Sequence, residues 1–370
     1  MNNSIPFLDL SATYKELKSD LDASYNRLMN SGWYILGDEV EAFELEYAKY
    51  CSVNHCIGVG NGLDALTLSL LACGVKEGDE VIVPANTYIA TWLSVSNIGA
   101  IPIPVEPNEK TYNIDASLIE KSVSKKTRAI IPVHLYGQPA EIHKIIDIAK
   151  KYNLKIVEDG AQAHGAKIKG QRIGGHGDAV AWSFYPGKNL GGYGDGGAVT
   201  TNNIEIAEKL RLLRNYGSKK KYLNDICGFN SRLDPLQASF LRVKLKHLDS
   251  WNKRRVLLAE NYKASIIKDK LKLPYVPNFC DPVWHLFVIQ YGKRDELQDY
   301  LKNNKIYTMI HYPIPPYLQK AYKGLFKFGK FNITSSMAKN ILSLPIGPHL
   351  TFKQNKRIIE VINNFLTKQS

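Results

Sequence analysis

Lys188 stands in a setting suited to reaction with a carbonyl. It lies in the stretch WSFYPGKNLGGYGDGGAVTTN, residues 182–202, just past an apolar run, AVAWSFY, that reads as the end of a buried strand. Pro186-Gly187 ends that strand. Five glycines follow within seven residues (Gly191, Gly192, Gly194, Gly196, Gly197), and then a second short strand, AVTT. A lysine beside backbone that leaves room for close approach can form a Schiff base with a carbonyl-bearing cofactor, of which pyridoxal 5′-phosphate (PLP) is the commonest. The same stretch also reads as a surface lysine in a glycine-rich loop, so other parts of the chain must decide.

Three further groups bear on the choice. Asp159 ends the apolar run KIVED, 29 residues before Lys188. A carboxylate at a strand's end can keep a pyridine nitrogen protonated, and a protonated ring withdraws electrons from a carbanion. Gly58-Val-Gly-Asn-Gly-Leu-Asp64 runs from a strand straight into a helix, where free backbone N–H groups form an anion site. This is not the dinucleotide fingerprint. Its sixth position is Leu63, and the acidic residues expected roughly 20 further on, Asp79 and Glu80, precede their strand. The loop suits a single phosphate. Tyr88, after VIVPANT, can offer an aromatic face to the ring, and Ser183 a hydroxyl to the phosphate. Taken singly, each also has an ordinary structural reading as cap, turn or core.

The elements that must position these groups alternate. Cys56–Val59, Val81–Pro84, Ile101–Val105, Ala129–Val133 and Lys155–Val157 read as strands, separated by helices near 63–73, 88–98, 115–123 and 139–152. Two helices precede them, Ser11–Asn30 and Asp38–Tyr50, the second with Asp38 as its N-cap. The alternation predicts an α/β fold with a mainly parallel sheet covered on both faces, and ligands at the carboxyl ends of its strands. Residues 1–235 are read as a large domain. Residues 236–370 are read as linking helices and a smaller C-terminal α/β domain, with a strand HLFVIQY, a helix 294–304, the loop HYPIPP and a last helix near 352–367.

Composition narrows the classes. At 370 residues, 44% hydrophobic and 22% charged, the chain is an ordinary globular sequence with no apolar run long enough to span a membrane. The start lacks a signal-peptide layout, and five cysteines without a CxxC pair fit a reduced, cytoplasmic protein. Nine histidines include no HExxH motif or Cys/His cluster, so no metal site is expected. Residues 1–200 carry 18 Lys and Arg against 23 Asp and Glu; residues 201–370 carry 30 against 12. The basic half fits an anionic partner such as a nucleotide diphosphate, or simply a solvated lysine-rich surface. No helix-turn-helix or RNA-binding signature favours nucleic acid.

Taken together, the motifs SGWYILGDEVEAFE, GVGNGLDAL, PANTYIAT, VHLYGQPA, VEDGAQAHGA, SFYPGKNLGGYGDGGAV, GFNSRLDPLQASFL and HYPIPP resemble the PLP-dependent sugar aminotransferases of the DegT/DnrJ/StrS type. The resemblance runs nearly end to end and implies the aspartate aminotransferase fold (PLP fold type I). It implies that Lys188 is the Schiff-base lysine, that Asp159 partners the pyridine nitrogen, and that Gln162 packs near the ring's phenolic oxygen. Tyr88 then stacks on the ring, and Gly62, Leu63 and Ser183 hold the phosphate. Asn230 reaches the phosphate of a second subunit, which implies a homodimer with shared sites.

SFYPGKNLG resembles the branch that aminates C3 of dTDP-linked 3-keto-6-deoxyhexoses with L-glutamate as donor. Tyr317 stands where that branch commonly has histidine. Substrate contacts are expected from Tyr185, Lys219, Tyr222, Arg232 and His311. No metal, nucleic-acid or membrane partner is expected. The rivals are amination at C4 or of a UDP-linked sugar and, in a different class, a non-catalytic regulator of the same fold or a basic nucleic-acid-binding protein.

Overall fold

Short apolar strands whose alternate residues point to opposite faces need cover on both sides, and the helices supply it. In the computed structural model, which describes residues 4–324 and 330–368, seven strands form the main sheet. They are β1 (His55–Val59), β2 (Glu80–Pro84), β3 (Ile101–Val105), β4 (Thr127–Ile130), β5 (Lys155–Asp159), β6 (Ala179–Ser183) and β7 (Gly197–Thr201). The spatial order is β1-β7-β6-β5-β4-β2-β3. β7 pairs antiparallel with both neighbours, whereas the pairs from β6 through to β3 are parallel. One face carries Ile82, Ile130, Ile156 and Val180 against helices Asp38–Cys51, Ile142–Tyr152 and Pro235–Leu245. The other carries Val81, Ala129, Val157 and Ala181 against helices Gly62–Ala72, Ile89–Ser96 and Ile204–Leu213.

Several expected boundaries move for local reasons. Helix Asp38–Cys51 is capped by Gly37, not by Asp38. Gly37 takes φ 82°, and Asp38 becomes the first of three acidic residues in the first turn. β4 stops at Ile130 instead of Val133, because Pro132 has no N–H to give a ladder. The Pro132 carbonyl still accepts the Asp159 amide at 2.8 Å, and the Asp159 carbonyl accepts the His134 amide at 3.0 Å. The backbone of Asp159 is therefore held on both sides at the sheet's carboxyl edge. The helix expected over 115–123 is one α-turn, Ala116–Ile119, followed by a 3-10 turn, Glu120–Ser122.

The C-terminal half has its own core. Strands Phe287–Gln290 and Ile341–Leu344 pair antiparallel and pack on helices Leu248–Ser265, Arg294–Asn303 and Phe352–Lys368 through Leu258, Tyr262, Leu297, Leu301, Ile358 and Ile362. Ile5 joins this core from the other end of the chain. It bridges Ile306, its amide donating to Lys305 at 2.8 Å and its carbonyl accepting from Tyr307 at 3.0 Å. Strand Ile341–Leu344 and a hairpin of Ser218–Lys220 with Leu223–Asn224 were not expected from the sequence. Among the described residues, no helix is long and apolar enough to cross a membrane.

Candidate active site

Strand β5 ends in two carboxylates with separate employment. Glu158 is fully buried, and its Oε1 accepts the Gly177 amide at 2.7 Å. Its Oε2 meets His134 Nε2 at 2.9 Å. His134 Nδ1 accepts the Ala140 amide at 3.0 Å, so the imidazole proton sits on Nε2 and points at Glu158. Burial is the largest influence and opposes the Glu158 charge, but His134, His176 and the Gly177 amide together outweigh it and hold the carboxyl below its usual range. Asp159 is the carboxylate left for chemistry. Thr91 Oγ1 donates to its Oδ2 at 2.9 Å and the Ala161 amide to its Oδ1 at 3.1 Å. Burial raises its pKa against those two bonds and the charge of Lys188.

Lys188 occupies the turn beyond β6, its amide donating to the Tyr185 carbonyl at 2.9 Å. Desolvation brings its amine down to about 8, opposed by the charge of Asp159. An amine at that level is a far better nucleophile near neutral pH than an ordinary lysine. The glycines nearby serve close approach: a Cβ on Gly191 would stand 2.4 Å from the Pro186 carbonyl oxygen.

The anion cradle is formed where β1 meets helix Gly62–Ala72. The Asn61 side chain caps the helix by accepting the Asp64 amide at 2.9 Å. The amides of Gly62 and Leu63 have no acceptor among the described residues. A Cβ on Gly62 would fall 2.6 Å from that of Ser183, so only glycine lets this helix end sit against β6. Two free N–H groups and a serine thus converge where a phosphate was expected.

Aromatic residues enclose the remaining side. Tyr88 is 53% exposed and its ring centroid lies 5.3 Å from that of Tyr312. Gln162 accepts the Tyr136 amide through Oε1 at 2.6 Å and donates from Nε2 to the Tyr312 hydroxyl at 3.1 Å. His311 meets Ser343 Oγ at 2.8 Å through Nδ1, and burial pushes its imidazole down to about 4. Tyr136 donates from its hydroxyl to the His311 carbonyl. The sequence reading missed Tyr136 and Tyr312; the latter lies inside the motif HYPIPP, beside the residue that was chosen.

A profile of the DegT/DnrJ/EryC1/StrS aminotransferase family matches residues 15–363. The chain belongs to this family. It is 50% identical to the dTDP-3-amino-3,4,6-trideoxy-alpha-D-glucose transaminase of Streptomyces venezuelae, over 98% of this chain and 96% of that one. It is also 50% identical to the dTDP-3-amino-3,6-dideoxy-alpha-D-galactopyranose transaminase of Aneurinibacillus thermoaerophilus, over 98% and 99%. The crystal structure of S. venezuelae DesV in complex with a ketimine intermediate matches with a TM-score of 0.96 at 50% identity, covering 98% of each chain. The aminotransferase fold expected from the motifs is thereby established.

In this aminotransferase the expected substrate contacts divide. Tyr185 is exposed beside the Lys188 turn. Arg232 is engaged locally, donating to Asn215 Oδ1 at 3.1 Å and lying 5.4 Å from the Tyr216 ring centre. Lys219 and Tyr222 sit on the exposed hairpin, with Tyr222 85% exposed. Asn230 is exposed, while its neighbour Ser231 turns inward, accepting the Gly60 amide at 3.0 Å and donating to Asp64 at 2.6 Å.

Proposed function

We propose that this aminotransferase moves the amino group of L-glutamate to C3 of a dTDP-linked 3-keto-6-deoxyhexose, releasing 2-oxoglutarate and the 3-amino sugar, with PLP as its cofactor. The observation that carries the reading is the convergence of Lys188, buried Asp159 and the two unaccepted amides of Gly62 and Leu63. These fit the three polar features of PLP: its carbonyl carbon, its ring nitrogen and its phosphate. When bound, PLP supplies an electron-accepting ring that carries the amino group from donor to acceptor.

The side chains divide the remaining work. Gly62, Leu63 and Ser183 bind the phosphate, and Asp159 holds a proton at the ring nitrogen. Gln162 lies toward the ring's phenolic oxygen, and Tyr88 covers a ring face. Lys188 moves a proton between the donor's α-carbon and the cofactor's C4′. The amine near 8 suits that duty, since it can both take and return a proton near neutral pH. Amination at C3 is supported by the segment SFYPGKNLG and by the two half-identical relatives, each named for a 3-amino product.

A homodimer is supported by the large hydrophobic side chains of Tyr216, Tyr222, Leu223 and Phe229, each exposed in the stretch that leads to Asn230. Five free cysteines suit a reducing cytoplasm.

The test is product analysis. Incubation with L-glutamate and the dTDP-3-keto sugar should give nitrogen at C3 by NMR, and the 4-keto isomer should turn over poorly. Nitrogen at C4, or a preference for a UDP-sugar, would overturn the regiochemical assignment. Borohydride reduction of the PLP-loaded protein should attach the cofactor's mass to the peptide containing Lys188, and to no other.

A further inference from the structure

The residue after Lys188 is tied to more of the fold than Lys188 is. Asn189 is 5% exposed. Its Nδ2 donates to Asn252 Oδ1 at 2.9 Å and to the Val283 carbonyl at 3.0 Å, and its Oδ1 meets His285 Nδ1 at 3.1 Å. Asn252, on helix Leu248–Ser265, extends the connection by donating from Nδ2 to the His164 carbonyl at 2.8 Å. His164 closes the segment that begins with Asp159 and Gln162.

Two backbone carbonyls fix the direction of every bond in this chain. A carbonyl only accepts, so Asn252 must present Nδ2 to His164 and therefore Oδ1 to Asn189. Asn189 must then turn Nδ2 to Asn252, an orientation the Val283 carbonyl also requires, which leaves its Oδ1 toward His285. Only an N–H can face that oxygen, so the His285 proton is on Nδ1. Its Nε2 carries a bare lone pair and has no hydrogen-bond partner among the described residues. Burial keeps the ring neutral, and the charged or basic groups facing it are Lys188, Arg255, His311 and His164, with Lys188 acting most strongly.

We propose that Asn189 and His285 are positioning residues for Lys188. Asn189 sets the lysine's main chain against the Asp159 segment and locks His285 in the tautomer that offers the lysine amine an acceptor. The tautomer matters because the amine must keep its own lone pair free for the donor's α-proton. A bare Nε2 accepts one amine N–H and leaves that lone pair free. A protonated Nε2 would donate into it and block it. The proposal rests on Lys188 being the lysine that holds PLP.

The experiment compares the PLP-loaded enzyme with His285→Asn, His285→Gln and Asn189→Asp. Asparagine at 285 can keep the donor to Asn189 but has nothing at the Nε2 position, whereas glutamine can place an amide oxygen there. The expected result for His285→Asn is a kcat lower by about tenfold or more. Its KM for L-glutamate should be little changed, and its bound-cofactor visible band should titrate at a different pH. His285→Gln should recover most of both. Asn189→Asp, which gives up two donations and favours a protonated imidazole, should lose kcat as well while still binding PLP. Cofactor reduced onto Lys188 together with a parental band titration and kcat in His285→Asn would overturn the proposal alone. Equal losses in the Asn and Gln variants, with equal falls in Tm, would overturn it in favour of packing. Cofactor reduced onto another lysine would overturn the Lys188 reading itself.

Discussion

Thr91 stands one hydrogen bond behind Asp159, its hydroxyl donating to Oδ2 at 2.9 Å, and Thr87 stands one further back at 2.8 Å from Thr91. The carboxylate can only accept, so Thr91 spends its proton on Asp159 and Thr87 must donate to Thr91. The order of this relay is thus fixed by its last member. Thr91→Val should remove a bond to a charged group worth about 1.5–3 kcal/mol, which corresponds to a rate loss of roughly ten- to a hundredfold if it is felt at the ring nitrogen. Steady-state kinetics with PLP saturating checks it; an unchanged kcat would mean that Ala161 alone suffices.

The lowered amine of Lys244 gives a pH prediction with a definite sign. Lys244 is buried, donates to the Gly191 carbonyl at 2.6 Å and lies 3.6 Å from the Tyr193 ring centre. Desolvation lowers it from 10.5 to about 7. Between about 7 and 10.5 the unfolded chain keeps a proton at this position that the folded chain has lost, so its contribution to stability rises with pH. Below about 7 the buried charge is carried in full. Relative to Lys244→Met, the parent should therefore gain stability from pH 7 to pH 9, at a slope approaching about 1.4 kcal/mol per pH unit. Denaturant titrations of both proteins at several pH values measure this, and parallel curves would contradict the lowered amine.

Removing one partner of the buried Glu44–Arg214 pair should be costly. Glu44 Oε1 accepts from Arg214 and from the Gly58 amide, the latter at 2.7 Å, and Arg214 also donates to the Gly58 carbonyl at 2.8 Å. Both side chains are buried at the strand that leads to the anion cradle. Glu44→Ala leaves a buried guanidinium without its counter-charge and should destabilise the protein by about 3–5 kcal/mol. Chemical denaturation provides the readout.

The proposed assembly predicts complementation. Lys188→Ala and an Asn230→Ala variant, each impaired alone, should regain activity when mixed under conditions of subunit exchange. One mixed site then collects both defects, and the other carries neither. Absence of recovery where exchange is demonstrated would place the whole site within one chain.

Legibility in the sequence followed from chain locality. Lys188, Asp159 and the Gly58–Asp64 loop each announce themselves because strand, turn and functional residue are contiguous. Their meeting follows from a parallel sheet, whose carboxyl ends share one edge. Tyr312, Asn252 and His285 could not be read in this way. Their roles arise from contacts with residues remote in sequence, and a tyrosine or asparagine beside a proline or on a long helix carries no local mark of that contact. Strand Ile341–Leu344 was missed for a similar reason: all four residues are buried, so the alternation that betrays a half-exposed strand is absent. Asp38 was misread as a cap because its chemistry suits one, while the decisive property, the backbone at Gly37, belongs to its neighbour.

The pairing of Ile5 with Ile306 also has a consequence for how the protein is made. Ile5 is translated long before its partner, which lies in the last fifth of the chain. The seven-stranded sheet can close while that partner is still untranslated, since its strands end at Thr201. The segment around Ile5 must then wait, unpaired and apolar, until residues 305–307 emerge, and its docking is among the last events of biosynthesis.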